Sequence, residues 1–135
     1  MKITVEALVK APIAKVWSAY TTPQDILQWN TASDDWHTTK STVDLRVGGA
    51  FASRMEAKDG SFGFDFAGTY TKIVTNELIE YTFGDRVGVV KFATGANGVT
   101  VSVTFDAESE NSVAQQRDGW QAILNNFAKH TEACQ

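Results

Sequence analysis

The sequence predicts an α+β fold: a curved antiparallel sheet of seven strands, two short helices after the first strand, and one long C-terminal helix lying across the sheet. Three observations predict it. Ser112 to Glu132 keeps helical spacing for longer than any other stretch. From Thr42 to Phe105, apolar and polar residues alternate between Gly-, Asp- and Asn-containing turns, and tight turns make neighbouring strands antiparallel. Between the first strand and that region, Ile13 to Trp29 carries two short helical patterns divided by Thr22-Pro23. The predicted order is β-α-α-β-β-β-β-β-β-α, in a single domain over 1–135.

Ile3, Val5, Ala7 and Val9 alternate with Lys2, Thr4, Glu6 and Lys10, which gives a strand with one buried face. Leu8 breaks the polar side. Ala11-Pro12 stops the strand, and Pro12 suits the first turn of a helix. Ile13, Val16, Trp17 and Tyr20 then share one helical face. Thr22, Pro23 and Asp25 read as cap, first residue and capping-box acid of a second helix, whose apolar side is Ile26, Leu27 and Trp29. Asn30 to Thr39 is polar and irregular, with Trp36 in its middle.

A strand is predicted over Thr42–Val47, ended by Gly48-Gly49. Phe51, Ser53, Met55 and Ala57 occupy one face of the next. Asp59-Gly60 is a strong hairpin signal. Phe62, Phe64 and Phe66 return on one face, and Gly68 suggests a bulge that flips parity before Tyr70. Strands over 78–83, 87–94 and 99–105 follow, around turns at Asn76-Glu77, Gly84-Asp85-Arg86 and Gly95-Ala96-Asn97-Gly98.

In the last helix, Ser112 and Gln115 fit a capping box. Val113, Trp120, Leu124 and Phe127 fall on one face with Ile123 beside them, while Arg117, Asp118, Gln121, Asn125 and Lys129 take the other. Lys129 and His130 suit the negative end of the helix dipole. Gly119 stands mid-helix, where glycine costs about 1 kcal/mol against Ala. Close backbone approach or room for a ligand is the expected reason. One amphipathic helix cannot bury its own face, so the sheet must wrap it. A straight helix does not touch a bowed sheet everywhere, and the resulting gap is the expected place of function.

A net charge of −4 with no basic stripe argues against a nucleic-acid backbone as partner. No apolar run is long enough to span a membrane, and the alternating N-terminus is unlike a signal peptide, so a cytoplasmic protein is expected. The single cysteine, Cys134, has no internal partner and is expected to be without function.

Local residues carry a resemblance that runs along essentially the whole chain. Asp44-Leu45-Arg46-Val47-Gly48-Gly49-Ala50-Phe51 resembles a D-x-R-x-G-G-x-F run of homologues of the activator of heat-shock protein 90 ATPase. Phe66 to Tyr70, Ile79 to Phe83, and Asp118-Gly119-Trp120 with Ile123-Leu124 fit the same family, as do Ala11-Pro12, Val16-Trp17 and Trp29. The family lies within the START-like (SRPBCC, helix-grip) superfamily. The resemblance implies a helix-grip fold with a cavity between helix and sheet; fold alone does not give activity.

The expected ligand-binding residues are Trp17, Trp29, Trp36, Phe51, Phe64, Phe66, Tyr81 and Trp120, with Gly119 giving room. Rings offer large contact area at little entropic cost. Trp36 is the sharpest of them, because a large ring in a polar stretch needs a reason to be there. Arg46 before Gly48-Gly49 is no phosphate loop: no Lys-Ser/Thr follows, so the glycines are expected to make a turn. Asp65, Arg54 and Glu56 are expected on the outer face. His37 and His130 lie far apart, and no metal site, no cofactor and no nucleophile triad is expected.

The first reading is a binding protein for a small hydrophobic or amphipathic ligand, such as a lipid, as monomer or homodimer. A cyclase-like or hydrolase-like enzyme in the same cavity is the second, with His37, Asp65 or Tyr81 as acid or base. The third, implied by the resemblance, is a co-chaperone-type module that binds a protein partner in a stress response.

Overall fold

The computed structural model describes residues 1–133; Cys134 lies outside the described residues. The chain runs β1 (Lys2–Val9), α1 (Ile13–Thr21), α2 (Pro23–Trp29), β2 (Trp36–Val43), β3 (Ala50–Ala57), β4 (Gly63–Val74), β5 (Leu78–Phe83), β6 (Arg86–Gly95), β7 (Gly98–Asp106) and α3 (Val113–Ala133). The strands form one sheet in the order β1-β7-β6-β5-β4-β3-β2, antiparallel throughout. This is the α+β helix-grip arrangement predicted above.

α3 begins as the sequence indicates. The Gln115 N–H donates to Ser112 Oγ and the Ser112 N–H to Gln115 Oε1, each at 3.1 Å, so two free amides of the helix start are satisfied. Buried Gln116 ties down the approach: its Nε2 donates to the carbonyls of Glu108 and Asn111, and its Oε1 accepts the Glu108 N–H. Leu124 and Phe127 reach the core with Ile3, Val90, Val101 and Phe105, which the alternation of β1, β6 and β7 places on the inner face. The Gln121 side chain donates to the Glu6 carbonyl and fixes α3 against β1.

Several local expectations need correction. The second strand is Trp36–Val43 rather than Thr42–Val47, so Trp36 sits in a strand and not in an irregular stretch. Its pairing to β3 shifts register between Thr38 and Lys40, and that slip hides the alternation. Residues 44–49 form a loop. Arg46 Nε bonds both Asp44 oxygens at 3.1 and 2.9 Å, and Gly48 and Gly49 exchange backbone bonds with Tyr70 on β4. Gly48 has φ +85°, which glycine adopts without strain.

The β4 bulge lies between Tyr70 and Lys72, not at Gly68, so parity flips after Tyr70 and not before it. Gly68 has a different reason. A Cβ there would run into the Thr82 carbonyl oxygen and stand 2.8 Å from the Phe51 ring. Thr22 makes no side-chain cap bond to α2. Its N–H closes α1 on the Ser18 carbonyl, and its hydroxyl faces Ser18 at 3.5 Å.

Candidate functional site

A cavity of about 210 Å³ lies where α3 and the α2 end fail to seal against the sheet. Its floor is the inner face of β2 to β5, and α3 covers it with Trp120, Ile123 and Leu124. Alternation along β3 aims Phe51, Ser53 and Met55 inward; on β4 it aims Phe64, Phe66 and Tyr70 inward.

Of the residues singled out from sequence, Trp29, Phe51, Phe64, Phe66, Tyr81 and Trp120 line this hollow. Phe66, Phe83 and Trp120 pack ring against ring, with centroids 5.4 to 6.1 Å apart. The Trp29 indole donates to the Ala19 carbonyl at 2.9 Å, which fixes the ring edge-on to Phe127. Trp17, Trp36 and Gly119 lie outside the cavity. Trp17 packs into the core edge-on to Phe92. Trp36 is half-buried on the face that β2 shares with Thr38 and packs against Phe62 and Phe64 at the cavity rim, where Phe62 is 63% exposed and Phe64 is also a lining residue. A Cβ on Gly119 would meet nothing within 4 Å, so neither close approach nor cavity space explains that glycine.

The sequence reading missed most of the wall. Tyr20, Asn30, Ser41 and Tyr70 are among the lining residues. Ser41 was hidden by the misplaced second strand and Tyr70 by the misplaced bulge. Ser53 offered a signal: it is a polar residue on an otherwise apolar inner stripe.

No charged side chain lines the cavity among the described residues. All three tyrosines of the chain do: Tyr20, Tyr70 and Tyr81. Burial pushes each phenol up; Tyr70 raises Tyr20 further, and both raise Tyr81. Tyr70 rises to about 12, with the Asp44 carboxylate adding to burial. None of the three hydroxyls hydrogen-bonds within the described residues, so all remain neutral donors at neutral pH. The Tyr81 ring covers Gly88, where a Cβ would run into it.

His37 and Asp65 are exposed. Asp65 faces Arg54 at 3.6 Å on the outer side of the sheet. Among the described residues, no three His, Cys, Asp or Glu side chains gather as a metal set. No helix among them is long and apolar enough to cross a membrane.

With this geometry in place, comparison with known proteins is decisive for the family. Residues 10–132 match the family described as activator of Hsp90 ATPase homolog 1-like protein. The chain belongs to that family. An activator of Hsp90 ATPase homolog 1-like protein from Aeromonas hydrophila is 47% identical, with a TM-score of 0.92 over 99% of this chain and 94% of that one. A protein from Cytophaga hutchinsonii is 45% identical, with a TM-score of 0.85 over 98% and 93%. One from Chromobacterium violaceum is 25% identical, with a TM-score of 0.86 over 98% of each chain. Among curated proteins there is no match. The family fits the START-like superfamily, whose members generally bind hydrophobic ligands in a cavity.

Proposed function

We propose that this member of the family binds a small, mainly apolar or amphipathic molecule in the cavity between α3 and the sheet. The carrying observation is a hollow of about 210 Å³ with an uncharged, ring-rich wall. Drug-sized pockets begin near ~300 Å³. The guest is therefore a molecule of one or two rings, or a short chain, rather than a two-chain lipid.

Native mass spectrometry of the protein purified from its own host tests this. The expected result is a bound mass that is missing from a folded Ile123→Trp variant, whose indole fills the hollow. Bare protein in both samples, with no change on adding small aromatic compounds, contradicts it.

The enzyme reading loses most of its chemistry. Of His37, Asp65 and Tyr81, only Tyr81 faces the cavity, and a neutral phenol supplies a hydrogen bond but no base. The partly exposed cluster of Trp36, Phe62 and Phe64 at the cavity rim favours a protein-binding role there. A pull-down that loses its partner in Trp36→Ala would support that role.

A further inference from the structure

The cavity wall is not evenly apolar. One corner, where β2 and β3 pair beneath the end of α2, carries Asn30, Ser41 and Ser53. Ser41 and Ser53 stand directly opposite each other in the β2–β3 register. Ser41 Oγ is buried with no hydrogen-bond partner among the described residues. Buried hydroxyls are almost always paired, so a sealed, unpartnered one asks for an explanation. Ser53 is buried, and its hydroxyl likewise bonds to nothing among the described residues. The neighbouring Thr38 hydroxyl is already used: it donates to the Asn30 carbonyl at 2.6 Å. That bond holds Asn30 beside β2, while its carboxamide makes no bond among the described residues.

The rest of the wall is uncharged: aliphatic groups, rings that include the three phenols, and Thr21 and Thr42. With no cation to pair it, a carboxylate or phosphate placed here would recover only part of its desolvation cost from neutral hydroxyl donors. A neutral oxygen meets no such cost, and it supplies the partner that the serines lack. A serine has three staggered χ1 positions, so Ser41 turns its hydroxyl toward an entering oxygen without moving the backbone.

We propose, resting on the binding reading above, that the cavity selects a neutral ring compound bearing a ketone or alcohol oxygen, and that Ser41 and Ser53 anchor that oxygen. The rings lie against Phe66, Tyr81 and Trp120, and carboxylates of the same shape are turned away. Ser41 and Ser53 are then specificity-determining residues rather than residues of the fold.

Three probes of nearly equal shape test this on the full chain: acetylnaphthalene, ethylnaphthalene and naphthoate, titrated at neutral pH by tryptophan fluorescence. Acetylnaphthalene is expected to bind about 3- to 10-fold more tightly than the hydrocarbon, the worth of one or two hydrogen bonds. Naphthoate is expected to bind about tenfold or more weakly than the ketone. In a Ser41→Ala/Ser53→Ala variant, acetylnaphthalene should fall to the level of ethylnaphthalene, whose own affinity should hold within about twofold. Tyr81→Phe should keep the preference for the ketone.

Equal binding of all three probes overturns the proposal and leaves the cavity a binding site. So does an equal loss of ketone and hydrocarbon in the serine variant, or loss of the preference in Tyr81→Phe alone, which moves the anchor to the phenols. Absence of binding by every probe overturns the binding reading itself.

Discussion

The Trp120 indole lies flat on the Phe105 ring, with 3.8 Å between centroids and 11° between planes. Phe105 is fully buried near the C-terminal end of β7, so this stack is where α3 is pressed onto the sheet. The other side of the same indole meets Phe66 and Phe83 and forms cavity wall. One side chain therefore both closes the seam and bounds the hollow.

Trp120→Ala removes the stack and joins its volume to the cavity. The loss is about 3 kcal/mol, at the low end for a large ring because Trp120 is only partly buried. Urea denaturation reads it. Trp120→Phe should lose less, and a change near zero for Trp120→Ala would show that the seam is closed elsewhere.

Gly119→Ala should stabilise the protein by about 1 kcal/mol, because the added methyl meets nothing and helix propensity rises. The same denaturation series measures it. Nothing in the structure explains why glycine stands there. A destabilised variant would show that the backbone at Gly119 departs from the helix in solution.

Ser41→Ala should leave the empty protein as stable or raise its stability by about 1 kcal/mol, since it removes a buried hydroxyl with no partner. A thermal melt of ligand-free protein checks this. A fall in Tm of several degrees would mean that the hydroxyl is bonded after all.

Alkaline stability follows from the tyrosines. A phenol whose folded pKa is raised contributes stability that is full below its unfolded value, about pH 10, and that is lost as pH rises through the folded value. All three tyrosines are raised in this way. Phenolate absorbance should stay flat through pH 10 and appear together with loss of circular dichroism. Smooth titration near pH 10 in folded protein would place a phenol in bulk water.

The long helix and its capping box were legible because Ser112, Gln115 and the Trp120-Leu124-Phe127 spacing are local signals. So was the strand count, since turns such as Asp59-Gly60 and Gly95 to Gly98 mark themselves. Register was not legible. The slips after Thr38 and after Tyr70 each add a residue with no mark in the sequence, and each reverses which side chains point inward. That is why the aromatic part of the wall was read and its polar corner was not. Trp36 was misjudged for a related reason: the stretch before Thr42 looks polar because it is an edge strand with one face in water. Gly119 was over-read, since spacing cannot tell a glycine that makes room from one that merely faces open space.

The most direct measurement uses the four tryptophan indole N–H signals as reporters in a proton–nitrogen NMR titration with acetylnaphthalene. Trp29 and Trp120 line the cavity, while Trp17 is in the core and Trp36 packs with Phe62 and Phe64 outside the cavity lining itself. A guest held between α3 and the sheet should shift Trp29 and Trp120 saturably and leave Trp17 and Trp36 in place. Shifts at Trp36 alone, or at none of the four, would contradict a binding cavity in this fold.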